Sequence, residues 1–259
     1  HALQFVHVRP PRLARQREPD VLQRAAALAQ IARPAGGDDV LAFVSFDGAL
    51  PVLRKLRAAF SGYLNESFQV DWSQKYGFVV ISRNGVKTKI LTMGPNATAS
   101  AGLVVAHHTH PLQQVLGALR EAEKDAKEMY GRDSFVVSIL KRSGDQLTSG
   151  SKWVYGEGDV DVIEVMRQFA CIIKTGELAR SFIIDWQNEI DGLKGLASAE
   201  QQLVELRRLF LRHSNSRLSP EQKQRNFEIT IEKMVRSSRL DVAYTVLSAA
   251  QFFAKGGGR

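Results

Sequence analysis

The period of the apolar residues changes once along this chain, near residue 150, and that change limits what it can fold into. Upstream, apolar runs of strand length alternate with stretches whose apolar residues recur every three or four positions; downstream only the helical period continues. Two domains of different class are expected: a two-layer α/β domain over residues 1–152 and an all-α bundle over 153–259.

In the first part, Pro19 to Ile31 reads as a helix through Val21, Leu22, Ala25, Leu28 and Ala29, and Val40 to Phe46 as a strand. Gly48 to Tyr63 is again helical, with Leu50, Leu53, Leu56 and Phe60 on one side and a solvated basic face of Arg54, Lys55 and Arg57. Strand runs follow at Phe78 to Ser82, Thr88 to Met93 and Leu103 to His107. Asn84-Gly85 joins the first two as a hairpin, and an antiparallel sheet is implied. A helix from Pro111 to about Tyr130 stops at Gly131, a strand runs from Phe135 to Leu140, and Ser143-Gly144 to Gly150-Ser151 has linker composition.

Beyond Gly158, helices are expected at 159–174, 177–193, 198–213, 219–236 and 239–254. The fourth opens on Ser219-Pro220-Glu221-Gln222, which supplies a cap, a proline at the first helical position and a capping-box glutamine. Lys255-Gly256-Gly257-Gly258-Arg259 reads as a flexible tail. No internal repeat is present.

At 259 residues and 44% hydrophobic content the chain can bury a real core. No stretch approaches the ~20 uninterrupted apolar residues of a membrane helix. The N-terminus, with Arg9, Arg12, Arg15 and Arg17 among prolines, lacks the apolar centre of a signal peptide, so a cytoplasmic location and no membrane partner are expected. The single Cys171 excludes an internal disulfide and a cysteine-rich zinc site, and its apolar neighbours Met166, Phe169, Ala170, Ile172 and Ile173 suggest a buried thiol. The formal charge of +8 favours a polyanionic partner such as RNA, DNA or a nucleoside triphosphate.

Chemistry concentrates at Gly36-Gly37-Asp38-Asp39, which leads into the apolar run Val40 to Val44. Two glycines let a phosphate chain approach the backbone, and adjacent aspartates offer the hard oxygen ligands that Mg²⁺ prefers. The same four residues are also ordinary hairpin-turn composition.

Four motifs, in order, decide between these readings. They are Ala35-Gly36-Gly37-Asp38-Asp39-Val40-Leu41-Ala42, Ala97-Thr98-Ala99-Ser100-Ala101-Gly102, His107-His108-Thr109-His110-Pro111-Leu112 and Leu140-Lys141-Arg142-Ser143-Gly144. Together they resemble the large subunit of type III CRISPR effector complexes, closest to the III-B form, over its second palm domain and C-terminal helical domain. The resemblance implies a ferredoxin-like palm with an antiparallel sheet. It implies a metal-dependent nucleotidyltransferase that converts ATP into cyclic oligoadenylate when a foreign transcript pairs with the guide RNA. Asp38 and Asp39 would then be catalytic ligands of Mg²⁺ or Mn²⁺, and Gly36 and Gly37 would admit the ATP. Ser100, with Thr98 and Gly102, would leave room for the adenine or its ribose, unless these small residues only pack a strand start. Lys141, with Arg142, would neutralise triphosphate charge. The implied partners are the small helical and backbone subunits, guide RNA and target RNA.

Against the family pattern, no acidic Asp-Gly-Asp strand precedes residue 36, and His1 to Pro10 reads as the tail of a helix, so the palm's first strand is expected to be missing. No His-Asp dipeptide of a nuclease domain occurs, and the chain reads as part of a larger subunit. His107, His108 and His110 suggest a metal cluster, but strand alternation would send 107 and 108 to opposite faces. A non-catalytic scaffold is the alternative, docking other subunits and RNA through Arg207, Arg208, Arg212, Lys223, Arg225, Arg236 and Arg239. A diguanylate cyclase is disfavoured, because Val40 and Leu41 stand where that family continues with an acidic residue and an aromatic.

Overall fold

A computed structural model describes residues 2–9, 31–34, 40–65, 67, 69–74, 77–83, 86–156, 159–196 and 198–254. The chain divides into two compact units, His1–Trp153 and Val154–Gly256.

The first unit is built on a six-stranded mixed sheet. Its strands are β1 (Ala2–Arg9), β2 (Ile31–Pro34), β3 (Val40–Val44), β6 (Ser100–His107), β7 (Ser134–Leu140) and β8 (Gln146–Lys152), in the order β2-β3-β1-β6-β7-β8. The β2-β3-β1-β6 portion has the strand order of a ferredoxin-like domain. Helix α1 (Ala49–Ser61) connects β3 toward β6, and α2 (Leu112–Glu128) is the crossover that makes β7 parallel to β6. The α/β fold is therefore observed, but the sheet is mixed rather than antiparallel throughout. The expected helix at Pro19 to Ile31 lies outside the described residues up to its last position, which begins β2.

Three other expectations change. Residues 2–9 are a central strand, paired with both β3 and β6, and not a helix tail. Leu3, Phe5, Val6 and Val8 are of the aromatic and branched types that strands favour. The segment with linker composition is the edge strand β8, whose Ser149, Gly150 and Ser151 are buried. A Cβ at Gly150 would fall inside the Tyr130 ring, so a small residue is needed there. Finally, β4 (Phe78–Arg83) and β5 (Val86–Leu91) do pair across Asn84-Gly85, with Arg83 facing Val86, but they form their own two-stranded sheet.

Alternation along the strands organises the core. Val104 and Ala106 pack with Val115 and Leu119 of α2, while Ala101, Leu103 and Val105 point to the opposite face and are equally buried.

The second unit begins with a short ladder of β9 (Val154–Tyr155) and β10 (Val160–Asp161). It continues with α3 (Val162–Lys174), α4 (Ser181–Lys194), α5 (Ala199–His213), a run of α6 (Pro220–Phe227), a π turn (Glu228–Glu232) and α7 (Lys233–Ser237), and α8 (Leu240–Phe253). The Ser219 capping box forms as expected. Phe182 is the hub of the core, with ring centroids 5.6 Å from both Trp186 and Phe210 and 6.3 Å from Phe169. Cys171 is exposed, because on α3 it falls outside the stripe formed by Val165, Met166, Phe169, Ile172 and Ile173. Among the described residues, no helix is long and apolar enough to cross a membrane.

Candidate functional site at one end of the palm sheet

Register places the motifs along the sheet. Pro34 faces Val40, so Gly36, Gly37, Asp38 and Asp39 belong to the link between β2 and β3; these four residues lie outside those described. Val8 faces Val40 on one side of β1, and Arg9 faces Ser100 on the other. The link and the start of β6 therefore share one end of the sheet, here termed the upper end. Ala101 faces Phe135, which brings the α2–β7 loop to the same end, one strand further on.

Ser100 is buried, and alternation puts it on the α2 face with Gly102. At Gly102 the helix is too close for any side chain: an added Cβ would stand 2.8 Å from the Glu123 nitrogen and 2.8 Å from the Leu119 oxygen. Gly102 is thus a packing residue, and the space there is filled by α2. Thr98 is half-buried in the segment that enters β6.

Lys141 is not brought to this end. Leu140 faces Ala106, and Ala2 faces His107, so Lys141 and Arg142 lie at the lower end with the histidines. The eight residues of β6 separate the two ends by about 23 Å at the usual rise per residue. Lys141 does stand at a strand end, but β7 runs parallel to β6, so that end lies opposite the one flanked by Pro34 and Val40.

At the lower end, Arg142 Nη2 donates to His107 Nε2, and His107 Nδ1 lies 2.8 Å from Thr109 Oγ1. The His107 and His108 rings are 4.1 Å apart; His108 lies in the turn beyond the strand, where alternation no longer applies. Lost solvation, followed by the charges of Arg142 and His108, holds the His107 imidazole below its ordinary pKa. No group of three or more His, Cys, Asp or Glu that could hold a metal occurs among the described residues, so the histidines form no such centre.

A polar network that the periodicity did not announce lies at the upper end. Arg57, expected on a solvated face, is 3% exposed, and its Nε and Nη2 each stand 2.8 Å from Asp133 Oδ1. Its Nη1 donates to Ser61 Oγ, which donates in turn to the Ala97 carbonyl. Gly131, Arg132 and Asp133 all have left-handed backbone, with φ of 69°, 59° and 44°. Lys152 Nζ donates to the Gly131 and Arg132 carbonyls at 2.9 and 2.6 Å, and Trp153 Nε1 donates to the Ala99 carbonyl at 2.8 Å.

Residues 32–136, which run from β2 through the link to β7, match the second palm domain of Cas10/Cmr2. Over that stretch the chain is similar to this domain. A 120-residue stretch is 33% identical to the CRISPR system Cmr subunit Cmr2 of Pyrococcus furiosus, covering 46% of this chain and 11% of that protein. A type III-B Cmr-beta structure in the apo state superposes with a TM-score of 0.61 at 16% identity, over 90% of this chain and 25% of that one. The Cmr-beta structure bound to cognate target RNA gives 0.60 at 17%, with the same coverage. The chain therefore spans about a tenth of the curated relative's length, and the solved structures show that its fold is shared.

In the helical unit, four of the seven cations expected to meet a partner have carboxylate partners within the chain. Arg208 pairs with Glu205 and Glu189, Arg212 with Asp185 and Glu189, Arg236 with Glu200 and Glu232, and Arg239 with Asp241. Among the described residues, Arg207, Lys223 and Arg225 have no such ion pair.

Proposed function

We propose that this chain is part of the large subunit of an RNA-guided type III CRISPR ribonucleoprotein, and that the upper end of its palm sheet takes part in converting ATP into cyclic oligoadenylate when target RNA binds. The observation that supports this reading is the register: Pro34 and Val40, the described residues on either side of Gly36-Gly37-Asp38-Asp39, stand at the same sheet end as Ser100.

The donor set fits a divalent metal. Asp38 and Asp39 are adjacent carboxylates, the hard oxygen ligands that Mg²⁺ or Mn²⁺ takes, on a link whose ends are fixed by the Pro34–Val40 pair. A metal held by Asp38 and Asp39 would supply charge neutralisation of triphosphate oxygens and a lowered pKa for an attacking ribose 3′-hydroxyl. Gly36 and Gly37 leave the backbone bare for the phosphates, and Ser100 borders the same end. The small and backbone subunits, guide RNA and target RNA are the partners this reading entails, in the cytoplasm.

One observation favours the scaffold reading instead: β1, the strand beside β3, carries no carboxylate between Ala2 and Arg9. The test is ATP turnover by the assembled complex with Mg²⁺ and guide-matched RNA, with products read by mass spectrometry. Cyclic oligoadenylate that disappears with Asp38→Ala/Asp39→Ala supports catalysis at the link. No product from a complex that still binds target RNA leaves the palm as scaffold.

A further inference from the structure

Arg57 sits on α1, remote in sequence from every motif, yet its guanidinium is the junction between the two segments that flank Ser100 and Phe135. Toward one side it grips Asp133 through two nitrogens; toward the other it reaches the Ala97 carbonyl through Ser61. It is packed beside two rings, with Cζ 5.8 Å from the Tyr63 centroid and 6.0 Å from that of Trp72. A cation this deeply buried is costly unless paired, and here each of its three nitrogens faces a protein acceptor.

What the guanidinium fastens is conformationally expensive. Arg132 and Asp133 hold left-handed backbone that residues with a Cβ seldom adopt, and such strain persists only where surrounding contacts over-determine it. Arg57 supplies that restraint from below, through Asp133, while Lys152 holds the two carbonyls before it. The segment entering β6 is pinned at Ala97 through Ser61 and at Ala99 through Trp153.

We propose that Arg57 is a positioning residue for nucleotide binding: it holds the 97–100 segment and the 131–133 loop in one fixed arrangement at the upper sheet end, where ATP is received. The proposal rests on the nucleotide reading above. Its chemistry is the planar fork of arginine, which can reach acceptors in two directions at once; a lysine in its place keeps the charge but cannot bridge them.

Two variants test it, Arg57→Lys and Ser61→Ala, the second cutting only the arm to Ala97. Amide exchange on this chain is expected to rise about tenfold at residues 97–100 and 131–134 with Arg57→Lys, and at 97–100 alone with Ser61→Ala, while α1 and the core of β6 keep their protection. In the assembled complex, Arg57→Lys is expected to raise the KM for ATP by about tenfold with kcat within about twofold, since ground-state and transition-state binding are lost together. Unchanged exchange at both segments overturns the clamp, as does exchange that rises equally across α1 and β6, which marks a merely structural arginine. An unchanged KM in a complex whose loops have loosened overturns the link to nucleotide. If the unsubstituted complex yields no product, the nucleotide reading itself falls and the proposal falls with it; the exchange pattern then still records whether the clamp exists.

Discussion

The two ends of the palm sheet are built from the same strands and treat charge in opposite ways. At the upper end, Arg57 is sunk beneath the surface and paired with Asp133. At the lower end, Lys141, Arg142 and His108 are exposed, and Arg142 rests on the half-buried imidazole of His107 rather than on a carboxylate. The buried guanidinium is held in place because separating it from its half-exposed partner strands its charge in a poor solvent. An exposed cation costs little to move and is screened by salt. The upper end therefore has the rigidity that a binding site needs, and the lower end does not, although the sequence motifs treat the two alike.

The largest test of that difference is functional. On the proposed function, Asp38→Ala/Asp39→Ala, between Pro34 and Val40, is expected to abolish cyclic oligoadenylate formation by the assembled complex. Lys141→Ala/Arg142→Ala, at the lower end, is expected to leave product formation close to that of the unsubstituted chain. Equal losses from both pairs, read as initial rates at saturating ATP, would show that the far end of the sheet also serves the reaction.

A smaller effect separates the ends by stability. Gly102→Ala places a methyl group 2.8 Å from two backbone atoms of α2, which cannot yield as a side chain does. A loss of about 1–3 kcal/mol is expected from such overpacking. At the lower end Gly144 has open space around it but a φ of 90°, so Gly144→Ala meets backbone strain alone, about 1 kcal/mol. Denaturant midpoints of the two variants check the order; a Gly144→Ala variant weaker than Gly102→Ala reverses it.

Much of this architecture was legible in the sequence because period and turn chemistry act locally. The helical runs of the second unit follow from apolar spacing, and Ser219 to Gln222 make the cap their identities specify. Asn84-Gly85 makes the hairpin, though its separation from the main sheet depends on pairing partners far away in the chain. Strand β8 was hidden because its serines and Gly150, the last in a tight space against Tyr130, have the composition of a linker. Arg57 was misplaced by residue type: it lies four positions after Leu53 and three before Phe60, which is the apolar face, and only its charge argued otherwise. Lys141 was misplaced for a different reason. Leu140 does end a strand, but strand direction, and hence which end of the sheet that strand end occupies, is decided by long-range pairing.

The finest test of the comparison is the titration of His107. Its folded pKa is lowered, so the folded state binds this proton less readily than the unfolded chain does. Protonation then favours unfolding: the neutral imidazole is at no disadvantage above the unfolded value of about 6.5, and stability falls as pH drops through that value toward the folded pKa. Because Arg142 contributes to the lowering alongside lost solvation, Arg142→Ala should move the midpoint upward without restoring it fully. Side-chain NMR of His107 against pH reads this directly. A midpoint that stays in place when Arg142 is removed would mean that the guanidinium does not rest on the ring in solution, and the lower end would then have no fixed charge arrangement of its own.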